Sequence, residues 1–178
     1  LAGHREETEA MVLESIHRAL KSGSPQVKKT ALKALGLTGL KSASKIIVPY
    51  LRNFSSSIRA EAALALTATG DSAAAPEIKP SLFDPDAQAV AAAVYAAGRL
   101  GYAKGSGQMM TLLSREEPMV RLRAAEALGR LKEEKSVDLV ARLLGDPVRM
   151  VAIKAAEALA RIGNRQAAEK LAGALDSD

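Results

Sequence analysis

The chain has 178 residues, with 25 Lys+Arg against 20 Asp+Glu, 3% aromatic residues, and neither Cys nor Trp. That length can bury a sizeable core as one domain or one run of small repeats, and the absence of cysteine excludes a disulfide framework, a thiolate zinc site and a cysteine nucleophile. Two histidines, His4 and His17, are too few for an imidazole metal cage, and no apolar run approaches the ~18 residues of a membrane helix.

The 35 alanines are not scattered. Shifted by 31 residues, the chain overlays itself without a gap. Ala31, Ala62, Ala93, Ala124 and Ala155 form one column, and Ala34, Ala65, Ala96, Ala127 and Ala158 another. Val27, Ile58, Ala89, Val120 and Val151 form a third. Ile47, Ile78, Met109, Val140 and Leu171 make a fourth, and Leu51, Leu82, Leu113, Leu144 and Leu175 a fifth.

In chain order, residues 5–20 read as a lone helix, the second half of a unit, with Ile16 and Leu20 in register and Glu6, Glu7 and Glu9 suiting its N-terminus. Five full units follow at 22–52, 53–83, 84–114, 115–145 and 146–178, and with the half unit 1–21 they are expected to form a single repeat domain. The spacing predicts two helices per unit. The first has apolar residues at helical spacing and alanine where a neighbour approaches. Its start is expected at an N-cap followed by proline, as in Ser24-Pro25, Asp84-Pro85 and Asp146-Pro147. Glycine at positions 70, 101 and 163 permits the left-handed turn that ends it. The second helix carries a small residue and then apolar residues four apart, as in Ser136, Val140 and Leu144. Such a hairpin cannot hide its apolar stripe alone, so neighbours must stack into an all-α, right-handed solenoid. At ~8–10 Å per layer, five and a half units predict a rod of roughly 45–55 Å.

Asp146-Pro147, Val151, Ala155-Ala-Glu-Ala-Leu159 and Arg161-Ile-Gly163 resemble the HEAT-like repeat of the phycobilisome-lyase type. Glu117-Pro118, Val120-Arg121 and Ala124-Ala-Glu-Ala-Leu-Gly-Arg-Leu131 do so too. The resemblance covers nearly the whole chain and implies a HEAT/armadillo-like superhelix, a module that serves many unrelated tasks. It implies no catalytic residue here. Neither His4 nor His17 is followed by Glu, as in the hydroxylases of the wider group, and the tryptophan-lined cleft of its glycosylases has no counterpart. Unit 3 departs from the pattern, with Lys104-Gly105-Ser106-Gly107 where a second helix should begin. No strand precedes these glycines, so they read as a weakened connection with Ser106 capping a shortened helix, and not as a phosphate cradle.

Charge is the main functional signal. Between Glu14 and Glu61 there is no acidic residue, while Arg18, Lys21, Lys28, Lys29, Lys33, Lys41, Lys45, Arg52 and Arg59 fall in that interval. Unit 1 is thus a basic end that would draw an anionic partner. Second helices line the concave, ligand-holding face in the family resembled, and their outward columns here include Lys45, Val48, Lys79 and Met110. Glu126 with Arg130 and Glu157 with Arg161 are spaced to pair within a helix, while Arg99, Arg130 and Arg161 share a further column and are expected to bridge units to acidic groups and carbonyls, with an anionic ligand as the alternative. The leading expectation is a non-enzymatic, cofactor-free, cytoplasmic scaffold that binds a protein segment on its concave face, with unit 1 favouring acidic residues. The alternatives are a nucleic-acid-associated module gripping phosphates through unit 1, and an accessory subunit of a lyase-like enzyme. The chain is further expected to be a segment of a longer array, or to cover a repeat end by association with a second copy.

Overall fold

The computed structural model describes residues 2–175; Leu1, the side chains of Ala2, Arg5 and Leu175, and the end of the last predicted unit lie outside what it describes. Ten α-helices are described: α1 (Ala2–Leu20), α2 (Pro25–Leu37), α3 (Ser44–Ile47), α4 (Ser56–Thr69), α5 (Ala87–Leu100), α6 (Ser106–Leu112), α7 (Pro118–Arg130), α8 (Val137–Arg142), α9 (Arg149–Ile162) and α10 (Arg165–Leu175). No strand occurs among the described residues. The first helices α2, α4, α5, α7 and α9 pack each on the next, so their order in space follows their order in the chain, and α1 lies against α2. The fold is an α-solenoid with one continuous core.

Small residues set how closely these layers approach. Ala62, Ala93, Ala124 and Ala155 are buried between successive first helices, with Ala65, Ala96, Ala127 and Ala158 beside them. Opposite the second column stand Gly36, Gly98 and Gly129. A Cβ at Gly98 would meet Ala127 Cα at 2.7 Å, and one at Gly129 would meet Ala158 Cα at 2.6 Å. Only a hydrogen fits there, so glycine is a packing requirement at these seams, despite a helix-propensity cost of about 1 kcal/mol against alanine.

The interunit turns correct one expectation. Ser24 caps α2, accepting from the Val27 N–H, but neither Asp84 nor Asp146 caps a helix. Helix α5 starts later, with Asp86 accepting from the Ala89 N–H, and α9 starts at Arg149 after the uncapped Val148. Asp84 instead takes both forks of Arg59 (2.5 and 2.7 Å), and Asp146 takes both forks of Arg121 (2.7 and 2.9 Å). Arg59 also donates to the carbonyls of Asn53 and Phe54, and Arg121 to those of Arg115 and Glu116. Each carboxylate keeps one backbone N–H, that of Asp86 or Val148 two residues on, in a turn that delays the helix start, and its remaining acceptor sites take the bidentate guanidinium. Each arginine thereby ties the turn that opens its own unit to the turn that opens the next.

The second helices also differ from the simple hairpin. Unit 2 has no second α-helix: Ser72–Phe83 is a 3₁₀ helix containing Pro76 and Pro80, which lack the N–H an α-helix needs and crowd the carbonyl four residues back. Its Ala74, Ile78 and Leu82 nonetheless point inward as the columns require. In unit 1 the second element changes from α3 to a 3₁₀ helix, Val48–Arg52, at Pro49. In unit 3, Ser106 does not cap α6. Its buried hydroxyl donates to the Ala103 carbonyl (2.7 Å), and Gly105 sits under the buried Tyr102 ring, 2.8 Å from where a Cβ would stand. This Lys-Gly-Ser-Gly turn is a packed corner.

Candidate functional site

The nine cations of the N-terminal third do not form one patch. Arg59 is withdrawn from the candidate surface: its side chain is only 15% exposed and wholly engaged with Asp84 and two carbonyls. The acid that answers it stands 25 residues further on, outside the acid-free interval. Burial alone would raise the Asp84 pKa, but the hydrogen bonds from Arg59 and the Asp86 N–H hold it below the ordinary value. Arg18 is exposed and within 3.7 Å of Glu14 on its own helix. Lys29 is half-buried at the seam between α2 and α4, in a column otherwise filled by Ala60, Ala91, Leu122 and Ile153. Lys33 is exposed and lines a shallow groove with Leu37, Glu61 and Leu64 on the first-helix side. Lys41, Lys45 and Arg52 are exposed on the second-helix layer, Lys28 is half-buried and Lys21 exposed. Among the described residues none of these unit-1 lysines, nor Arg52, has an ion-pair partner.

On the second-helix face, Met110 lines a cleft of about 650 Å³ with Leu113, Leu139, Arg142 and Leu143, between α6 and α8. Gly107, of the same column as Lys45, forms part of its wall and leaves it open. Val48 is half-buried against the core, and Lys79 is exposed on the 3₁₀ helix of unit 2. The cleft is mainly apolar, with Arg142 at its side. Its two hydroxyls, on Thr111 and Ser114, donate to the Gln108 and Thr111 carbonyls, and no His, Asp or Glu lines the cleft to activate them; among the described residues no cluster of His, Cys, Asp or Glu could hold a metal.

The arginine column also needs correction. Arg130 and Arg161 do not bridge units. Each pairs within its own helix, Arg130 with Glu126 (3.4 Å) and Arg161 with Glu157 (3.6 Å), because the acid lies four residues earlier on the same face. Glu126 is shared with Arg123 (2.8 Å) and Glu157 with Lys154 (2.8 Å), so each acid already sits between two cations. Burial would raise the Glu126 pKa, but its two arginines hold it low. In unit 3 the acid's place is taken by Tyr95, which receives Arg123 on its ring face at 4.7 Å, and Arg99 is left without an acidic partner among the described residues. Arg99, Arg130 and Arg161, with Lys132, line a groove of about 520 Å³ over Gly98 and Gly129. Lys132 was not among the residues expected to act, and its backbone is unusual. It has φ 51°, the only non-glycine residue with positive φ among those described.

The family model of HEAT repeats matches residues 13–99 and 108–178. The chain belongs to the HEAT repeat family. No curated protein matches it. Among solved structures, this HEAT repeat chain is similar to an engineered protein at 21% identity and TM-score 0.68, over 92% of this chain and 85% of the other. It is also similar to a chain in the complex of CpcE and CpcF of phycocyanin lyase from Nostoc sp. PCC7120, at 20% identity and TM-score 0.65, over 94% and 82%. A designed armadillo repeat protein in complex with the peptide (KR)4 matches at 20% identity and TM-score 0.64, over 93% and 89%. At these identities the likeness shows the α-solenoid fold. Among the described residues no helix is long and apolar enough to cross a membrane.

Proposed function

We propose that this HEAT repeat chain is a non-enzymatic scaffold that holds a segment of a partner protein along its second-helix face, with the unit-1 lysines of that layer drawing acidic residues. The observation that carries this reading is the open, mainly apolar cleft at Met110 and Leu139, whose volume falls within the ~300–1,000 Å³ of ordinary ligand sites. An unbranched methionine at its edge adapts to varied side chains. Lys41 and Lys45, exposed on the same layer, supply a cationic end to that surface. The similar armadillo–peptide and CpcE–CpcF complexes support a protein partner by analogy. On this reading the five units 22–52 to 146–178 and the half unit before them act as one domain.

Peptide display on the immobilised chain tests it. Selected peptides should carry an apolar anchor next to Asp or Glu, and Met110→Glu should weaken them at least about tenfold, the ~1.4 kcal/mol of one buried anchor. Reversing Lys41 and Lys45 to Glu should remove the acidic preference. Selected peptides that bind the Met110→Glu variant equally well would overturn the cleft. A 20-base-pair duplex that displaces them, with a salt slope near −0.9 per phosphate contact and sensitivity to reversal of Lys28, Lys29 and Lys33, would favour the nucleic-acid alternative.

A further inference from the structure

We infer that the turn edge of the last three units is a second binding site, which takes an extended acidic peptide with a carboxylate at every third residue. The site lies where α5, α7 and α9 end, away from the Met110 cleft and in different units from the basic N-terminal end.

Two independent observations meet there. The first is charge. Four cations converge on one groove, among the described residues Arg99 and Lys132 have no acidic partner, and the acids paired with Arg130 and Arg161 are each shared with a second cation. The guanidinium donors not used by these long internal contacts can receive further carboxylates in bidentate fashion.

The second is backbone conformation. The equivalents of Lys132 in the other units are Gly39, Gly70, Gly101 and Gly163, all with φ between 65° and 77°. Helix termination alone calls for glycine at this left-handed position, as four units show, and a side chain there is unfavourable. A basic residue near a helix C-terminus does complement the dipole, but Arg130 already does that for α7 without strain. Glu133, the next residue, caps the following turn through the Lys135 N–H, so it does not compensate Lys132. Unpaired lysine in a strained turn, placed in a cationic groove, is the pattern of a side chain kept for binding.

The spacing of the stack defines the ligand. First helices of an α-solenoid stand ~8–10 Å apart, so Arg99, Arg130 and Arg161 repeat at that interval along the edge. A polyproline II chain advances ~9.3 Å per turn of three residues, which sets side chains i, i+3 and i+6 in line at the same interval. Carboxylates in that phase meet one guanidinium per unit, with Lys132 beside the middle one. A single-stranded nucleic acid fits less well: no aromatic side chain lines the groove for base stacking, and the Tyr95 ring is already covered by Arg123.

The test uses two fluorescein-labelled decapeptides of equal composition, one with Glu at every third position among Pro and Ala, the other with the same glutamates contiguous. Anisotropy titrations compare the wild-type chain with Lys132→Gly, Arg99→Ala/Arg161→Ala and, as a control outside both sites, Lys170→Ala on α10, whose ammonium pairs with Asp138. The periodic peptide should bind at least about fivefold tighter than the contiguous one. Lys132→Gly should weaken it by about fivefold while raising Tm by about 2–4 °C as the turn relaxes, a combination that a purely structural lysine would not give. The Lys170→Ala control should leave the affinity unchanged. Equal binding of the two peptides, unchanged affinity in Lys132→Gly or in the double arginine variant, loss of binding in the control, or tighter binding of a labelled dT12 than of the periodic peptide would each overturn the inference.

Discussion

Replacing Gly129 by alanine tests how the layers are spaced. In an open helix the exchange stabilises by about 1 kcal/mol, because glycine loses more backbone freedom on folding. At Gly129 the new methyl would stand 2.6 Å from Ala158 Cα and 2.8 Å from its Cβ, against an ordinary carbon–carbon contact of about 3.5–4.0 Å. Since the obstacle is backbone, α7 and α9 must separate by about 1 Å. A gap of that size forfeits a quarter to a half of the dispersion between the facing side chains, and overpacking of this kind costs typically 1–3 kcal/mol, which outweighs or cancels the propensity gain. The net expectation lies between no change and a loss of about 2 kcal/mol. Gly107 on α6 is the control, since a Cβ there meets nothing within 4 Å, so Gly107→Ala should gain about 1 kcal/mol. Urea unfolding followed by far-UV circular dichroism compares the midpoints, which remain meaningful where a repeat array departs from two-state behaviour. A Gly129→Ala midpoint at or above that of Gly107→Ala would refute the reasoning.

The Arg121–Asp146 bracket should show in the acid limb of stability. The Arg121 hydrogen bonds hold the Asp146 pKa below its ordinary 3.8, so the stability they add is present above that value and is lost as the pH falls through the depressed one; Arg121→Ala should destabilise by about 2–3 kcal/mol at pH 7 and flatten the decline below pH 4. A variant whose urea midpoint falls with acid as steeply as the wild type's would count against it. Two exposed apolar positions make a separate expectation. Val27 is 40% exposed although its column mates are buried, and Ile153 is 40% exposed although Ala60, Ala91 and Leu122 of its column are buried. Sedimentation should therefore show self-association that rises with concentration and is lost in Val27→Glu/Ile153→Glu; a monomer at every concentration would refute it.

Much of the architecture was legible because steric demands repeat. A column that must be alanine to let two helices meet is visible in one sequence, and so is a glycine that must turn left-handed after a helix. The fates of charged side chains were less legible, because they depend on what the next layer brings within reach. Arg59 looked unpaired in an acid-free interval, yet Asp84 answers it across a seam. Asp146 looked like a helix cap, yet a guanidinium holds it. Pro76 and Pro80 were plain to see, and they convert a predicted α-helix into a 3₁₀ one without moving its apolar columns. Lys132 left a signal that sequence reasoning passed over. It is the single departure from a column of glycines, and it becomes informative only when the conformation of that column is known.

The interunit brackets follow a rule that can be built upon. The position of Arg59 and Arg121 is filled by Lys28 in unit 1 and Val90 in unit 3, and the position of Asp84 and Asp146 by Asn53 and Arg115. The bracket therefore occurs at alternate seams. At the unit 3 seam the substitutions are concerted: Val90 offers no charge to Arg115, which turns to Glu117 instead and pulls that carboxyl down to about 2. At the unit 1 seam only the chemistry is incomplete. Asn53 already accepts the Ser55 N–H with its side-chain oxygen, as Asp84 accepts from Asp86 and Asp146 from Val148, so an aspartate fits the turn unchanged. Lys28 carries a single point charge where the bracket needs a fork that reaches a carboxylate and two carbonyls at once. Asn53→Asp alone should thus gain little, and Lys28→Arg alone little, while the double variant should build a third bracket and gain about 1–2 kcal/mol, most of it as coupling in a double-mutant cycle. Additive single effects with no coupling would mean that the brackets at Arg59 and Arg121 depend on more than the two side chains and the turn that holds them.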